Sequence, residues 1–572
     1  MFLSMLSGFI VIMYRLFFLC LVICLVAGTQ GFAEEELLHR QVRQWVQQLG
    51  DDSFYVRQRA ELFLIRAGIQ AYPELQRAKQ SPDIEIVRRA EHVLSQIEQV
   101  FLEMENWEAA FWIQLYMIES NPAFKARIIW TLADPTLDLT KGEGLQTLCR
   151  LVRFEENDVL RVEAAKSLIA SPPVSPMLRQ KWYRHIRDNT YEIGDDELLQ
   201  CLTHYVKLWC DLNDAEEKIT PYFQERVRQV GAETLRLLER PENRIQIGSR
   251  VDLLLHYAVA ELQDIAGLTE DRDKTVAAAL ALQTEPIQSS EPIQPIGLED
   301  DMLMNEHFYV GRILWWRYRL YWAMAHFQKV VETGDIVLRV RASREVAEIA
   351  MYLADYSAAA DHLDTHIEIL KDPSYELTDA AAKIAQAQKR KFYCLAEKAA
   401  SEGNWKDVRE ALMKSWSVPG PPDNHNRDPR DSGDDVLLAY RLCKRQPDID
   451  REFKDKMDSL LIQTWRNIDQ DYKDRSFDER SIKMLNACNS AAWLLANTEG
   501  DYQIALTLVE TALKAEPDNA DILDTLAHVY FLGDKFDAAI RTQEQVVRLA
   551  PEAVIFQRAL ERFKRVKFSA AP

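Results

Sequence analysis

Pro517 and Pro551 stand 34 residues apart, and the residues before each repeat at the same offset: Leu513/Val547, Ala512/Val546, Glu510/Glu544, Leu506/Ile540, Ala505/Ala539, Tyr502/Phe536 and Gly500/Asp534. A repeat of this length, with apolar and small residues at helical spacing, requires a unit of two helices and a turn. Such a unit cannot bury its apolar face alone and must stack on neighbours. The composition agrees: 19 glycines and 21 prolines spread over 572 residues leave long stretches without turn signals, and good helix formers dominate them. At 47% hydrophobic and 28% charged the chain is a folded one, not a disordered one. The expected fold class is all-α, a solenoid of helical hairpins.

The segment 485–566 resembles the tetratricopeptide repeat (TPR). In its last unit Leu523, Leu526, Ala527, Tyr530, Ala539, Val546 and Pro551 stand at the positions of that family's pattern, which implies that they pack between helices. Gln543 stands where the family has an aromatic residue, implying looser packing, and Trp493 stands where a small residue is expected. The resemblance also implies that the other face of each first helix lines a groove. Here that face offers Asp521, Asp524, Thr525, His528 and Phe531. The Lys and Asn with which some members grip a C-terminal carboxylate are missing from it. The acids point to a basic or polar peptide, the alternative being a solvated helix face.

Upstream, 342–353 and 358–370 flank Asp355-Tyr356, and 380–401 and 406–415 flank Glu402-Gly403-Asn404-Trp405. Both have the helix, short turn, helix layout of divergent TPR-like units within 301–418, and 436–484 reads as helical. Near the N-terminus, Val56-Arg57-x-Arg59-Ala60-x-x-x-Leu64 and Val87-Arg88-Arg89-Ala90-x-x-x-Leu94 share a pattern echoed from Val159 to Leu168. This resembles HEAT-type repeats over 34–175, implying that Ala60 and Ala90 let helices approach closely. Residues 176–282 are helical, with an apolar face of Leu199, Leu202, Tyr205, Val206 and Trp209. The sharpest expected boundary is 283–300, where Glu285-Pro286-Ile287-Gln288 returns as Glu291-Pro292-Ile293-Gln294, the composition of an extended linker. A second loop is expected at 419–435.

Residues 1–33 read as a secretory signal: Arg15 precedes an unbroken apolar run at 16–27, and Gly31-Phe32-Ala33 offers small residues for cleavage before Glu34. The expectation is export to a periplasm or the exterior; the alternative is an anchor at 8–27, interrupted by Arg15. Six cysteines follow the signal without zinc spacing. Cys201 and Cys210 are about 13 Å apart along a continuous helix, too far to bridge.

A net charge of −20 argues against a nucleic-acid partner, which needs a basic face. Asp361-His362-x-Asp364-x-His366 places two histidines at metal-ligand spacing, but a metal needs three or four convergent ligands, so no metal or other cofactor is expected. The aromatic run Leu314-Trp315-Trp316-Arg317-Tyr318-Arg319-Leu320-Tyr321-Trp322 could stack on a ligand or fill a helix interface. No nucleophile elbow, phosphate loop or dinucleotide fingerprint occurs. The sequence therefore reads as an exported interaction scaffold for a protein or peptide, without catalysis. The alternatives are an enzyme with a metal or aromatic-lined site in 301–370, and a membrane-anchored envelope assembly factor.

Overall fold

The computed structural model describes residues 40–67, 71–101, 112–113, 115–116, 119, 121–133, 143–155, 157–170, 172, 176–190, 197–214, 219–239, 250–282, 305–375, 380–419, 433–473 and 482–570. The expected signal, the 283–300 segment and most of 419–435 lie outside these residues. Every regular element among them is a helix, so the chain is an all-α assembly of helical hairpins. It divides into two compact units: Met1–Ser171 with Arg184–Lys207 and Arg236–Gln246, and Pro172–Tyr183 with Leu208–Leu235 and Ile247–Pro572.

In the first unit α1 (40–48) precedes α2 (Phe54–Ala67), α3 (Tyr72–Ala78) and α4 (Ile84–Phe101). Their core gathers Val42, Leu49, Leu64, Leu75 and Leu94 around Ala60 and Ala90. Both alanines are wholly buried, and the absence of a larger side chain lets α2 and α4 close on each other. Arg89 of α4 then bridges to Glu61 of α2 at 2.7 Å while holding Glu85 of its own helix at 2.7 Å. Further along lie α5 (Pro122–Ala133), α6 (Glu143–Phe154) and α7 (Asp158–Ala170). α7 is buried almost throughout, including Glu163 and Lys166, which pair at 3.0 Å as buried charges must.

After α8 (Pro176–Thr190), α9 (Glu197–Asp214) and α10 (Pro221–Glu239), the second unit runs as a series of antiparallel pairs. These are α11 (Arg250–Ile265) with α12 (Thr269–Ala281), α13 (Glu306–Trp316) with α14 (Leu320–Thr333), α15 (Ile336–Tyr352) with α16 (Tyr356–Leu370), and α17 (Ala380–Ser401) with α18 (Trp405–Ser417). Then come α19 (Asp434–Arg445) and α20 (Arg451–Lys473), the pairs α21 (Ile482–Asn497) with α22 (Tyr502–Ala515) and α23 (Ala520–Leu532) with α24 (Phe536–Leu549), and α25 (Val554–Ala570). Within the stretch expected as helical at 436–484, α19 and α20 are separate helices. Pro447 has no amide hydrogen to continue a helix, and α19 ends before it.

Among the described residues, six of these hairpins share one turn. In each, a single residue takes the left-handed conformation, and the next amide donates back across it to the carbonyl five residues earlier. The bonds are Leu268 N to Gln263 O at 2.8 Å, and Arg319 N to Leu314 O, Asp355 N to Ala350 O, Asn404 N to Ala399 O, Gly500 N to Leu495 O and Lys535 N to Tyr530 O at 2.9 Å. This Schellman closure satisfies carbonyls left open at a helix end. The left-handed residues are Gly267, Tyr318, Ala354, Gly403, Glu499 and Asp534. Several turns also carry an Asx cap for the next helix: Asp355 accepts from Ala358 N, Asn404 from Asp407 N and Asp501 from Ile504 N.

The 283–300 segment does not separate one domain from another. The helices on its two sides belong to the same unit and pack together, α11 on α13 and α12 on α14, and Lys329 Nζ donates to Leu280 O at 2.7 Å. None of the described cysteines enters a disulfide, Cys201 and Cys210 included. No helix of the described residues is long and apolar enough to cross a membrane.

Gly403 isolates the energetics of the shared turn. Its φ is +74° and a Cβ added there would meet nothing within 4 Å, so Gly403→Ala adds backbone strain without a clash. The substitution should destabilise the protein by about 1 kcal/mol, read as a lowered urea midpoint with an unchanged slope. An equal or higher midpoint would show that the turn is not held left-handed.

Candidate partner-binding face

α23 begins at Asn519, whose side chain accepts from Asp521 N and Ile522 N. The capped helix carries the expected groove residues on one side, but they are engaged within the chain. Asp521 accepts from Tyr318 Oη at 2.9 Å and from Tyr352 Oη at 2.8 Å. Tyr318 is the left-handed residue of the α13–α14 turn and Tyr352 the last residue of α15. Asp524 is buried and accepts from Gln543 Nε2 at 2.6 Å. Thr525 is buried with its hydroxyl on the Asp521 carbonyl, and His528 is 6% exposed. Phe531 stacks on Phe563 of α25 at 4.7 Å. Neither a solvated helix face nor a pair of acids open to a basic peptide is present. Burial raised the need for hydrogen-bond partners, and helices distant in sequence supply them.

The packing residues also divide. Leu523, Leu526, Ala527, Ala539 and Val546 are buried as the repeat pattern requires, and Tyr530 is half-buried against Ala527 and Ala539. Pro551 is exposed and serves as the break after α24. Gln543 does not loosen the core. It is fully buried and its amide donates to both Asp524 and Phe556 O, at 2.6 and 3.1 Å.

Contacts between successive elements extend this face through the second unit and return to its start. Arg390 of α17 donates to Glu348 of α15 at 2.6 Å, and Arg441 of α19 to Glu397 of α17 at 2.8 Å. Trp493 Nε1 of α21 donates to Asp434 of α19 at 3.3 Å, which accounts for a large residue where a small one was expected. His528 of α23 meets Asn497 of α21 at 3.1 Å, and Arg562 of α25 meets His528 at 3.3 Å. Phe556 of α25 packs edge-on to Tyr352 of α15, 6.0 Å between centroids, and Tyr352 reaches Asp521. Only the α23 portion of this circuit carries a repeat pattern in the sequence. The remainder consists of charged and aromatic residues scattered over 348–562 that show no common motif.

His528 sets the electrostatics at the α25 end. Burial, with the Arg562 and Arg441 charges, holds its imidazole well below the ordinary value, so it is neutral. Its Nδ1 lies 3.1 Å from Asn497 Oδ1 and 3.3 Å from Arg562 Nη2, and its Nε2 lies 3.5 Å from the same Nη2. Burial pushes the Arg562 guanidinium down to about 10, with the Arg441 charge adding to the effect and Asp524 opposing it. Arg562 lies over the rings of Phe563 and Phe531, 5.1 and 5.5 Å from their centroids. Its Nε is buried without a hydrogen-bond partner.

The two histidines at metal-ligand spacing do not form a site. His366 is buried with Nδ1 2.8 Å from Ser343 Oγ, and burial lowers it to about 4. His362 is half-exposed. No group of three or more His, Cys, Asp or Glu able to hold a metal gathers among the described residues. The aromatic run at 314–322 builds a turn and a helix interface: Trp315 packs edge-on to Phe327 and Tyr352. Below it, Tyr257, His326 and His307 form a buried chain, with Tyr257 Oη 2.6 Å from His326 Nε2 and the two histidine Nδ1 atoms 2.7 Å apart. Glu261 is buried beside Arg179, Arg317 and Arg319 at 3.6–3.9 Å. Burial alone would raise its carboxyl, and these guanidinia outweigh it, holding the group below its ordinary range. These are buried networks that tie α11, α13 and α14 together.

Asp524 makes the fold pH-sensitive. Burial raises its carboxyl to about 7, against the hydrogen bond from Gln543 and the Arg562 charge, with Asp521 adding to the rise. The unfolded chain releases this proton at about pH 4. The folded chain holds it longer, so stability falls as pH rises from about 4 to about 7 and then levels. Asp524→Asn keeps an acceptor for Gln543 and removes the titration. The variant should match the native protein in urea midpoint at pH 5 and exceed it at pH 8. Parallel midpoints at both pH values would remove Asp524 as the cause.

Residues 496–563 match the family model for the tetratricopeptide repeat. No curated protein matches the chain. Among solved structures, a Rap protein complexed with competence and sporulation factor is similar at 12% identity and a TM-score of 0.26, over 72% of this chain and 98% of that one. The P58(IPK) TPR domain is similar at 11% identity and a TM-score of 0.17, over 89% and 99%. A circular tandem repeat protein is similar at 13% identity and a TM-score of 0.15, over 93% and 94%. The hairpins α21–α22 and α23–α24 are thus similar to tetratricopeptide repeats over the matched residues.

Proposed function

We propose that the protein is an exported scaffold that binds a polypeptide partner on the face shared by α15, α17, α19, α21, α23 and α25. The observation that carries this is the circuit of polar and aromatic side chains running from Glu348 through Arg390, Glu397, Arg441 and Trp493 to His528 and Arg562. Stacked hairpins bury apolar residues between neighbours and leave one extended face to present polar groups. Arg441 in that circuit keeps 46% of its side chain exposed, so the face meets solvent there. His528 and Phe531 belong to it through Arg562. We read the N-terminal pairs around Ala60 and Ala90 as HEAT-like hairpins.

A photo-crosslinking tyrosine analogue at Tyr356, which is half-buried beside Arg441 and Arg558, tests the surface. In cells it should yield adducts to a polypeptide, and the same analogue at exposed Lys406 should not. Equal labelling at the two positions would sink the assignment of this face. Export is checked separately by sequencing the N-terminus of the purified protein. A mature chain starting at Glu34 supports it, and one retaining residues 8–27 supports the anchored alternative.

A further inference from the structure

The acids of the shared face already have donors, and its cations do not all have acceptors. Asp521 is held by two tyrosines and Asp524 by Gln543. Arg390 is paired with Glu348 and Arg441 with Glu397. On α25, Lys564 pairs with Glu544 at 2.8 Å and Lys567 with Asp537 at 2.5 Å. Arg562 and Arg558 differ: neither makes an ion pair among the described residues. The hydrogen-bond partner of Arg562 is the neutral ring of His528, and its Nε has none. Arg558 lies one turn earlier on the same helix face, is exposed, and places its charge near Tyr356.

A guanidinium laid over aromatic rings, with Asp524 near enough to feel its charge but not in an ion pair with it, is costly, because the lost hydration is not replaced. Its planar fork matches a carboxylate in two parallel hydrogen bonds. Resting on the scaffold reading above, we propose that Arg558 and Arg562 receive the carboxylates of an acidic stretch of the partner polypeptide, with Arg441 on the facing helix helping to hold it. This reverses the basic partner expected from Asp521 and Asp524 in the sequence. A polypeptide suits the site better than a nucleic acid. A phosphate backbone needs an extended basic row, whereas here two arginines with open capacity stand among aromatic side chains, Asn497 and a neutral histidine, on a chain of net charge −20.

The test is fluorescence anisotropy with the full mature protein and short labelled peptides alternating Glu and Ala, Gln and Ala, or Lys and Ala. The Glu peptide should bind and the other two should not. Arg558→Gln with Arg562→Gln should weaken it roughly tenfold or more, while Arg451→Gln, an exposed arginine elsewhere, should leave it unchanged. Arg562→Lys, which keeps the charge, should retain some of the affinity, and a thermal melt of the double variant no lower than the native one separates lost binding from lost fold. Equal binding of Glu and Gln peptides, full binding by the double variant, or displacement by a single-stranded oligonucleotide would each overturn the proposal. Crosslinks at Tyr356 that persist in the double variant would overturn the acidic pairing and leave the scaffold standing. Their absence from the native protein would remove the scaffold reading itself.

Discussion

One backbone constraint organises the second unit: a helix ends, a single residue turns left-handed, and the next helix begins two or three residues later. Because the amide after that residue reaches back five positions, the chain reverses with almost no loop, and the two helices must lie side by side. Six hairpins among the described residues obey this rule between Gly267 and Asp534. The hairpins then stack on one another, and side chains as far apart in sequence as Tyr318 and Asp521 come within hydrogen-bond distance. Longer loops would allow each hairpin to rotate, and the face built from Glu348 to Arg562 would have no fixed composition.

That constraint also explains how much of the fold was legible. Where the turn residue is followed by a capping Asx or an aromatic helix start, as in Ala354-Asp355-Tyr356 and Gly403-Asn404-Trp405, the sequence announces the hairpin and the boundaries come out within a few residues. The first helix of the former pair still starts earlier than its apolar pattern suggests, at Ile336, because Asp335 caps it. Between α13 and α14 the left-handed residue is Tyr318 within an aromatic run. Neither glycine, proline nor asparagine marks the reversal there, so the run read as a cluster and not as a turn. Only two of the six positions, Gly267 and Gly403, use glycine, and the spacing between turns varies, which is why a constant period appears only at the C-terminal end.

The face was less legible for a different reason. Hydrophobic periodicity tells which side of a helix is buried, but it treats every polar residue as solvent-facing. On α23 that inference failed: Asp521, Asp524, Thr525 and His528 all lie on a side that other helices cover. A buried carboxylate survives only with donors aimed at it. Two of those donors, Tyr318 and Tyr352, lie 203 and 169 residues from Asp521; the third, Gln543, stands where the tetratricopeptide pattern has an aromatic residue. Gln543 could have been the clue. A polar residue at a packing position is expensive unless something pairs with it, and Asp524 on the preceding helix is within reach.

The distribution of charge gives the face its character. The chain as a whole is acidic, with 89 carboxylates against 69 lysines and arginines, so at long range it repels an anionic segment. Charges farther apart than about 8–10 Å are screened at physiological salt, which reduces that repulsion to a short-range matter. Within the face the balance reverses, because its carboxylates are already taken up by tyrosine, glutamine and arginine donors while Arg562 sits over Phe531 and Phe563 with a neutral histidine for company. Partly desolvated charges of this kind are screened far less than surface ones. Affinity for an acidic segment would then come from close contact rather than from steering, and an acidic exterior becomes compatible with a partner of the same sign: it discourages loosely held anions and leaves the seated carboxylate as the state that the unpaired guanidinium favours.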